Sequence, residues 1–265
     1  MNLSLNCNNK TEMKLSVVIP AYNEAGNISK TVHAFYKELS AAGIEHEILV
    51  INDNSTDNTL EVIEDLEKEI QTLRHLTNMA PNGYGYACQK GLNNYKGDCV
   101  AITMADLSDE PKDLVKYFRK MEETKCDMVF GDRWTKDSKV IGYPKNKLWL
   151  NRLVNHVIRF IFFFRYKDVT NGFKLFSKQT MDGLKPFISG QFSLALELPL
   201  KGIIRGYSYE VVPNNWYNRE IGESNLKLKS MFFRYTFILM YCLNEKLFSM
   251  GDYKKNKINK SRMQQ

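Results

Sequence analysis

Cysteine is sparse in this chain of 265 residues, and Cys7, Cys88, Cys99, Cys126 and Cys242 are odd in number, scattered and free of any Cys-x-x-Cys spacing. That excludes a disulfide framework and a zinc ribbon, and it fits reduced thiols in the cytosol. A run of ~20 mainly apolar residues, the length that crosses a bilayer, is also lacking. Trp149–Phe164 and Met231–Phe248 come nearest, but Arg152, Arg159 and Arg165 charge the first, and only Tyr235–Asn244 of the second is uncharged. The opening MNLSLNCNNKTEMK holds no apolar stretch of signal-peptide length, so the expectation is a protein on the cytoplasmic side. Internal repeats are missing too. With 43% apolar and 25% charged residues the chain is neither disordered nor fibrous, and its length suits one large domain.

The formal net charge of +7 is partly local: Lys254, Lys255, Lys257, Lys260 and Arg262 crowd the last residues against Asp252. Such a tail is a solvated end, or it rests on anionic head groups at about 1 kcal/mol per cation. No recognition motif accompanies the basic excess, so nucleic acid is not an expected partner.

What is present is an alternation of apolar runs and amphipathic stretches. Leu15–Ile19, Glu47–Ile51, Leu73–Thr77, Cys99–Thr103 and Met128–Gly131 read as strands. Helices are expected near Ile28–Leu39, Thr59–Ile70, Tyr86–Tyr95 and Leu114–Glu122. Strand–helix alternation predicts an α/β fold, a mostly parallel, doubly wound sheet with helices on both faces. The expected organisation is a flexible N-terminus over 1–13, a catalytic-size domain over 14–228, an amphipathic helix over 229–250 and a basic disordered tail over 251–265. Trp149–Phe164 and Met231–Phe248 suit either core helices or helices lying in a membrane interface, aromatic face toward lipid and cations at head groups.

Three of the strand ends turn polar: VVIPAYNE at 17–24, NDNSTDNT at 52–59 and MADLSDEP at 104–111. Ligands of open α/β sheets bind beyond the carboxyl ends of the strands, so these ends describe one cleft. Glu24, Asp53 and Asp106 would repel one another there unless they hold hydrogen-bond donors or a divalent cation. A nucleotide with Mg²⁺ or Mn²⁺ supplies both. Gly83 and Gly85, in NGYGYACQKG, either let the backbone approach such a ligand or simply serve a loop-to-helix turn.

These strings, followed by GDRW (131–134), DVTNGFKLF (168–176) and Arg219 with GESN (222–225), resemble in order and spacing glycosyltransferase family 2, and within it the dolichyl-phosphate mannose and glucose synthase group. The resemblance covers about residues 14–228. It implies a GT-A, Rossmann-like fold and an inverting transfer of mannose or glucose from a nucleotide sugar to a polyprenyl phosphate, dolichyl or undecaprenyl, at the cytoplasmic membrane face. Pro20, Ala21, Tyr22 and Glu24 match the family's nucleotide-binding strand end, and Asp53 its base- or ribose-contacting carboxylate. Asp106 matches the second aspartate of the metal-binding Asp-x-Asp. The first position is Met104, which cannot ligate a hard cation, and Ser108 stands where a metal-binding glutamine is typical, so a depleted Mg²⁺ or Mn²⁺ site is implied at Asp106 and Ser108.

For the acceptor, the resemblance puts Arg133, Lys147, Asn151 and Arg219 on the lipid phosphate, with a hydroxyl from Ser224. Partners implied are the nucleotide sugar, the lipid phosphate, the membrane surface and, in some relatives, a small membrane subunit. A phosphate acceptor is already ionised and needs no general base. A sugar hydroxyl acceptor would need one, and Asp168 and Glu197 are the candidates. A nucleotide-sugar-binding protein of weak catalysis is the third reading, prompted by Met104 and Ser108.

Overall fold

The structure, a computed structural model, describes residues 13–219 and 228–256. Its elements are, in order, β1 (Leu15–Ala21), α1 (Ile28–Ala41), β2 (His46–Asn52), α2 (Thr59–Glu69), β3 (Leu73–Thr77), α3 (Tyr84–Leu92), β4 (Cys99–Ile102), α4 (Pro111–Thr124), β5 (Met128–Asp132), β6 (Val140–Ile141), α5 (Lys145–Phe162), β7 (Lys174–Ser177), α6 (Lys178–Leu184), α7 (Leu194–Ile204), β8 (Tyr209–Pro213), β9 (Trp216–Tyr217) and α8 (Leu228–Phe248). Seven strands form one sheet in the order β3-β2-β1-β4-β7-β5-β8, while β6 and β9 pair separately.

Strands β1, β2, β3 and β4 run parallel, as do β5 and β8. The departure from the sequence reading is β7, which lies antiparallel between β4 and β5. Its four residues sit inside a polar motif and are too few to show a period. The sheet buries both faces, so its strands read as continuous apolar runs. Alternate residues still separate cleanly: Val17 and Ile19 pack with α1, α2 and α4, while Val18, Leu49 and Ile51 pack with α3, α5, α7 and α8.

Helix α1 presents Ile28, Val32, Phe35 and Leu39 to the sheet, a helical period that fixes its buried face. Helix α4 begins at Pro111, earlier than its apolar period, because proline suits the first helical turn, where its missing N–H costs nothing. Helix α5 also starts ahead of Trp149, and it stops where Phe163 turns left-handed at φ 58°.

The C-terminal segment corrects one expectation. Residues 251–256 are not a free basic tail: the Lys255 ammonium donates to both carboxylate oxygens of Asp127 at 2.8 and 2.7 Å. Its backbone N–H donates to the Arg205 carbonyl, and Arg205 forms a buried two-pronged pair with Glu245 of α8 at 2.7 Å. These bonds hold the end of α8 against α7. Residues 257–265 lie outside the described residues, as do 1–12 and the GESN loop with Ser224.

Candidate active site

The order β3-β2-β1-β4 reverses direction at β1, and the crevice opens there, beyond the carboxyl ends of β1, β2 and β4. Pro20 and Ala21 are buried in β1, and the chain surfaces at Tyr22. Asn23 adopts φ 53° and Asn54 φ 57°, left-handed turns that asparagine tolerates. Here the two loops latch together: the Asn23 N–H donates to Ser55 Oγ at 3.0 Å, and the Thr56 N–H donates to Asn23 Oδ1 at 2.8 Å. Glu24 is thereby set at the mouth, its N–H on Thr59 Oγ1 and its carboxylate accepting from Asn27 at 2.7 Å. Burial raises its pKa, opposed by the Asn27 hydrogen bond and Arg219 and reinforced by nearby Asp106.

Asp53 lies at the heart of the cleft, but its carboxylate organises the protein. One oxygen accepts from Asn78 at 2.6 Å and the other from the Gly83 N–H at 2.7 Å. Gly83, at φ 142°, makes that contact from a conformation closed to other residues. Gly85 serves close packing: a Cβ there would lie 2.3 Å from the Ser189 carbonyl oxygen.

Past β4, Leu107 takes the left-handed φ of 54° and folds the chain back so that the Ser108 N–H donates to Asp106 Oδ1 at 3.1 Å. The other oxygen of Asp106 accepts from Arg219 Nη2 at 2.6 Å, and Arg219 Nη1 lies 3.8 Å from Glu24. Strand β9, paired to β6 and bridged to Asp109 through Trp216, delivers Arg219 to this spot. The sequence reading put Arg219 with the acceptor; in the structure it stands on the carboxylates of Asp106 and Glu24.

The chemistry of the donor set does not fit a divalent cation. Met104 offers no hard ligand, Ser108 is buried, and Asp106 already carries a guanidinium. Among the described residues no group of three or more His, Cys, Asp or Glu side chains could hold a metal ion.

A second cluster lies just past the end of β5. Arg133, at the end of β5, grips fully buried Asp168 through Nε at 2.7 Å and Nη2 at 2.8 Å, with its own N–H on the same carboxylate at 3.1 Å. The pairing offsets burial and raises the arginine's pKa. Asn151 of α5 donates to Thr170 at 2.8 Å, joining that helix to the same loop. Lys147 lies one turn earlier and is half-buried. Trp134 is flanked by the guanidinium groups of Arg133 and Arg152, 5.4 and 5.1 Å from its ring. Arg152 was read only as a charge interrupting an apolar helix; the signal that could have found it is its position one residue after Asn151, beside GDRW. Glu197, the other candidate base, is buried and accepts from Lys201 at 2.5 Å and from the Ile188 and Ser189 N–H groups.

Lys174 of β7 lies beneath this cluster, its ammonium donating to the Val169 carbonyl at 3.1 Å. Burial, only partly offset by Asp168, lowers its pKa to about 7. The unfolded chain therefore holds the extra proton between about pH 7 and the ordinary value of 10.5, and stability rises with pH across that window. Lys174→Met should remove a rise on the order of 5 kcal/mol across the whole window, read from urea midpoints at several pH values. Parallel profiles for the two proteins would show that Lys174 titrates normally.

The arrangement, a carboxylate-lined crevice at a sheet reversal beside a cationic and aromatic wall, is that of a glycosyltransferase. Solved structures of glucosyl-3-phosphoglycerate synthase from Mycobacterium tuberculosis share the fold: one complex with Mn²⁺, UDP and glucosyl-3-phosphoglycerate superposes with a TM-score of 0.62 at 18% identity, over 88% of this chain and 80% of that one. Residues 16–184 match the glycosyl transferase family 2 profile, and the chain belongs to that family. It is 29% identical over 228 residues to a dolichol-phosphate mannosyltransferase of Pyrococcus furiosus, covering 83% of this chain and 61% of the relative. A putative glycosyltransferase, CsbB, of Bacillus subtilis is 26% identical over 82% of this chain and 63% of its own length. The chain thus spans less than two thirds of the length of these curated relatives.

Proposed function

We propose that this glycosyltransferase moves a hexose, mannose or glucose, from a nucleotide sugar to a polyprenyl phosphate at the cytoplasmic face of a membrane. The observation that carries the reading is the state of the two carboxylates a hydroxyl acceptor would call on. Asp168 is locked to Arg133, and Glu197 to Lys201 and two backbone N–H groups, so neither is placed to take a proton. A phosphate acceptor needs no such base. Its ionised oxygen attacks the anomeric carbon, the bond from that carbon to the diphosphate breaks, and the electron pair departs with the nucleoside diphosphate. Configuration inverts and no proton moves. The acceptor wall is Lys147, Asn151 and Arg152 beside the Arg133–Asp168 pair, where cations orient the acceptor phosphate and offset its repulsion from the donor. Likeness to a dolichol-phosphate mannosyltransferase supports the same acceptor class.

The membrane part rests on two exposed helix faces. Trp149, Val157, Phe160 and Phe163 along α5 and Phe232, Phe233, Phe237 and Met240 along α8 are all exposed. Lys246 of α8 donates to the Phe162 carbonyl at 3.0 Å, joining the two helices. Arg152, Arg159 and Arg234 supply cations beside these faces. Among the described residues no helix is long and apolar enough to cross a membrane, and the pattern suits helices lying in the interface.

Calorimetric titration with GDP-mannose, UDP-glucose and UDP-N-acetylglucosamine, followed by transfer to a short polyprenyl phosphate, tests the reading. One donor should bind and be consumed with the lipid phosphate; binding followed by transfer only to a sugar hydroxyl would replace it with the hydroxyl-acceptor reading. Lys147→Ala should raise KM for the lipid phosphate about tenfold, the loss of one charge-assisted hydrogen bond, and leave donor affinity within about twofold. Equal loss on both sides would remove Lys147 from the acceptor wall.

A further inference from the structure

We propose that the Arg219 guanidinium is the resident cation of the donor site, binding and neutralising the sugar nucleotide's diphosphate where other GT-A enzymes use a divalent metal. The inference rests on the donor half of the reading above. Its starting point is the charge count at the β4 end. An Asp-x-Asp pair with a divalent cation is neutral in sum. Here Met104 deletes one carboxylate, and the Asp106–Arg219 pair is by itself neutral, with Glu24 adding one negative charge 3.8 Å from the guanidinium. A divalent cation on Asp106 would have to displace an arginine bonded at 2.6 Å, for a site with a thioether in place of the second carboxylate.

The geometry suits the role. Asp106 is buried and Arg219 about one-fifth exposed, so the pair is screened little and part of the guanidinium is open to solvent. Glu24, 3.8 Å from Nη1, restrains the other edge of the fork. A planar guanidinium held between carboxylates is pre-organised, and its fork matches phosphate oxygens. It cannot act as an acid at neutral pH, so it stabilises the departing diphosphate by charge and hydrogen bonds alone.

The test is nucleotide binding, measured by calorimetry with UDP and GDP in Mn²⁺ and in chelator, for the wild type and for Arg219→Ala, Arg219→Lys and Met104→Asp. The wild type should bind its nucleotide with affinities within about threefold in the two buffers, and Arg219→Ala should lose about tenfold or more in chelator, as truncated charge pairs do. Arg219→Lys should recover part of the loss. Met104→Asp, which restores the second carboxylate, should gain Mn²⁺ dependence and a Mn²⁺ electron paramagnetic resonance signal of bound ion that the wild type lacks. A wild-type affinity that falls about tenfold on chelation overturns the proposal and leaves the glycosyltransferase reading standing. So does an unchanged affinity of a folded Arg219→Ala. Failure of both UDP and GDP to bind, with Mn²⁺ or with chelator, overturns the donor reading and the proposal together.

Discussion

Asp168→Ala is expected to lower stability by about 3–5 kcal/mol, because it strands a buried guanidinium that now donates to one carboxylate through side chain and backbone. For a domain of this size that is roughly a 10 °C fall in Tm. Arg133→Ala should cost a comparable amount, since Asp168 is fully buried and would be left uncompensated. The double variant Arg133→Met with Asp168→Leu discriminates pairing from independent roles: the two losses should be far from additive, with a coupling of about 2 kcal/mol or more in thermal or urea unfolding. Additive losses would mean that the pair is not an energetic unit. Activity separates a further point. Arg133→Lys keeps the charge but loses the two-pronged bond, so its KM for the acceptor should follow its loss of stability; a tenfold rise in KM with Tm unchanged would give Arg133 direct contact with the lipid phosphate, as the family resemblance implies.

The second large effect concerns the membrane. Substituting Phe232, Phe233 and Phe237 together by serine should reduce partitioning onto anionic lipid vesicles about a hundredfold, since three aromatic side chains leaving the interface forfeit at least about 3 kcal/mol. These residues are 67%, 62% and 61% exposed, whereas Ile238 and Cys242 on the opposite face of α8 are buried, so the fold should survive the change. Vesicle sedimentation at low and high salt reads the result. The aromatic loss should persist at high salt, whereas replacing Arg152, Arg159 and Arg234 by glutamine should weaken binding only at low salt. Unchanged partitioning by the triple-serine variant would leave attachment to a partner subunit as the explanation of the apolar faces.

Much of the enzyme was legible before any coordinate. The five leading strands and four of the helices announce themselves because local apolar period and turn chemistry are short-range properties, carried within a dozen residues. The polar ends of β1, β2 and β4 placed the crevice for the same reason. The ordered strings from VVIPAYNE to GESN identified the family, and Met104 marked the end of β4 as one carboxylate short of the family's Asp-x-Asp.

Tertiary structure decided how the polar residues are used. Asp53 and Gly83 lie thirty positions apart, Arg133 and Asp168 thirty-five, yet each pair is in direct contact. A sequence names these groups without saying which will face a ligand and which will hold the protein together, because that depends on the direction each side chain takes from its element. Arg219 shows the difference most sharply. Motif order assigned it to the acceptor, while the pairing of β9 with β6 carries it over a hundred positions to Asp106, where attraction between a guanidinium and a half-buried carboxylate pair holds it. Likewise Lys255 reads as one cation of a loose tail until the fold brings Asp127 within 2.7 Å. Local pattern determined the scaffold and the place of the crevice; long-range electrostatic pairing, which only the folded chain can bring about, determined what stands in it.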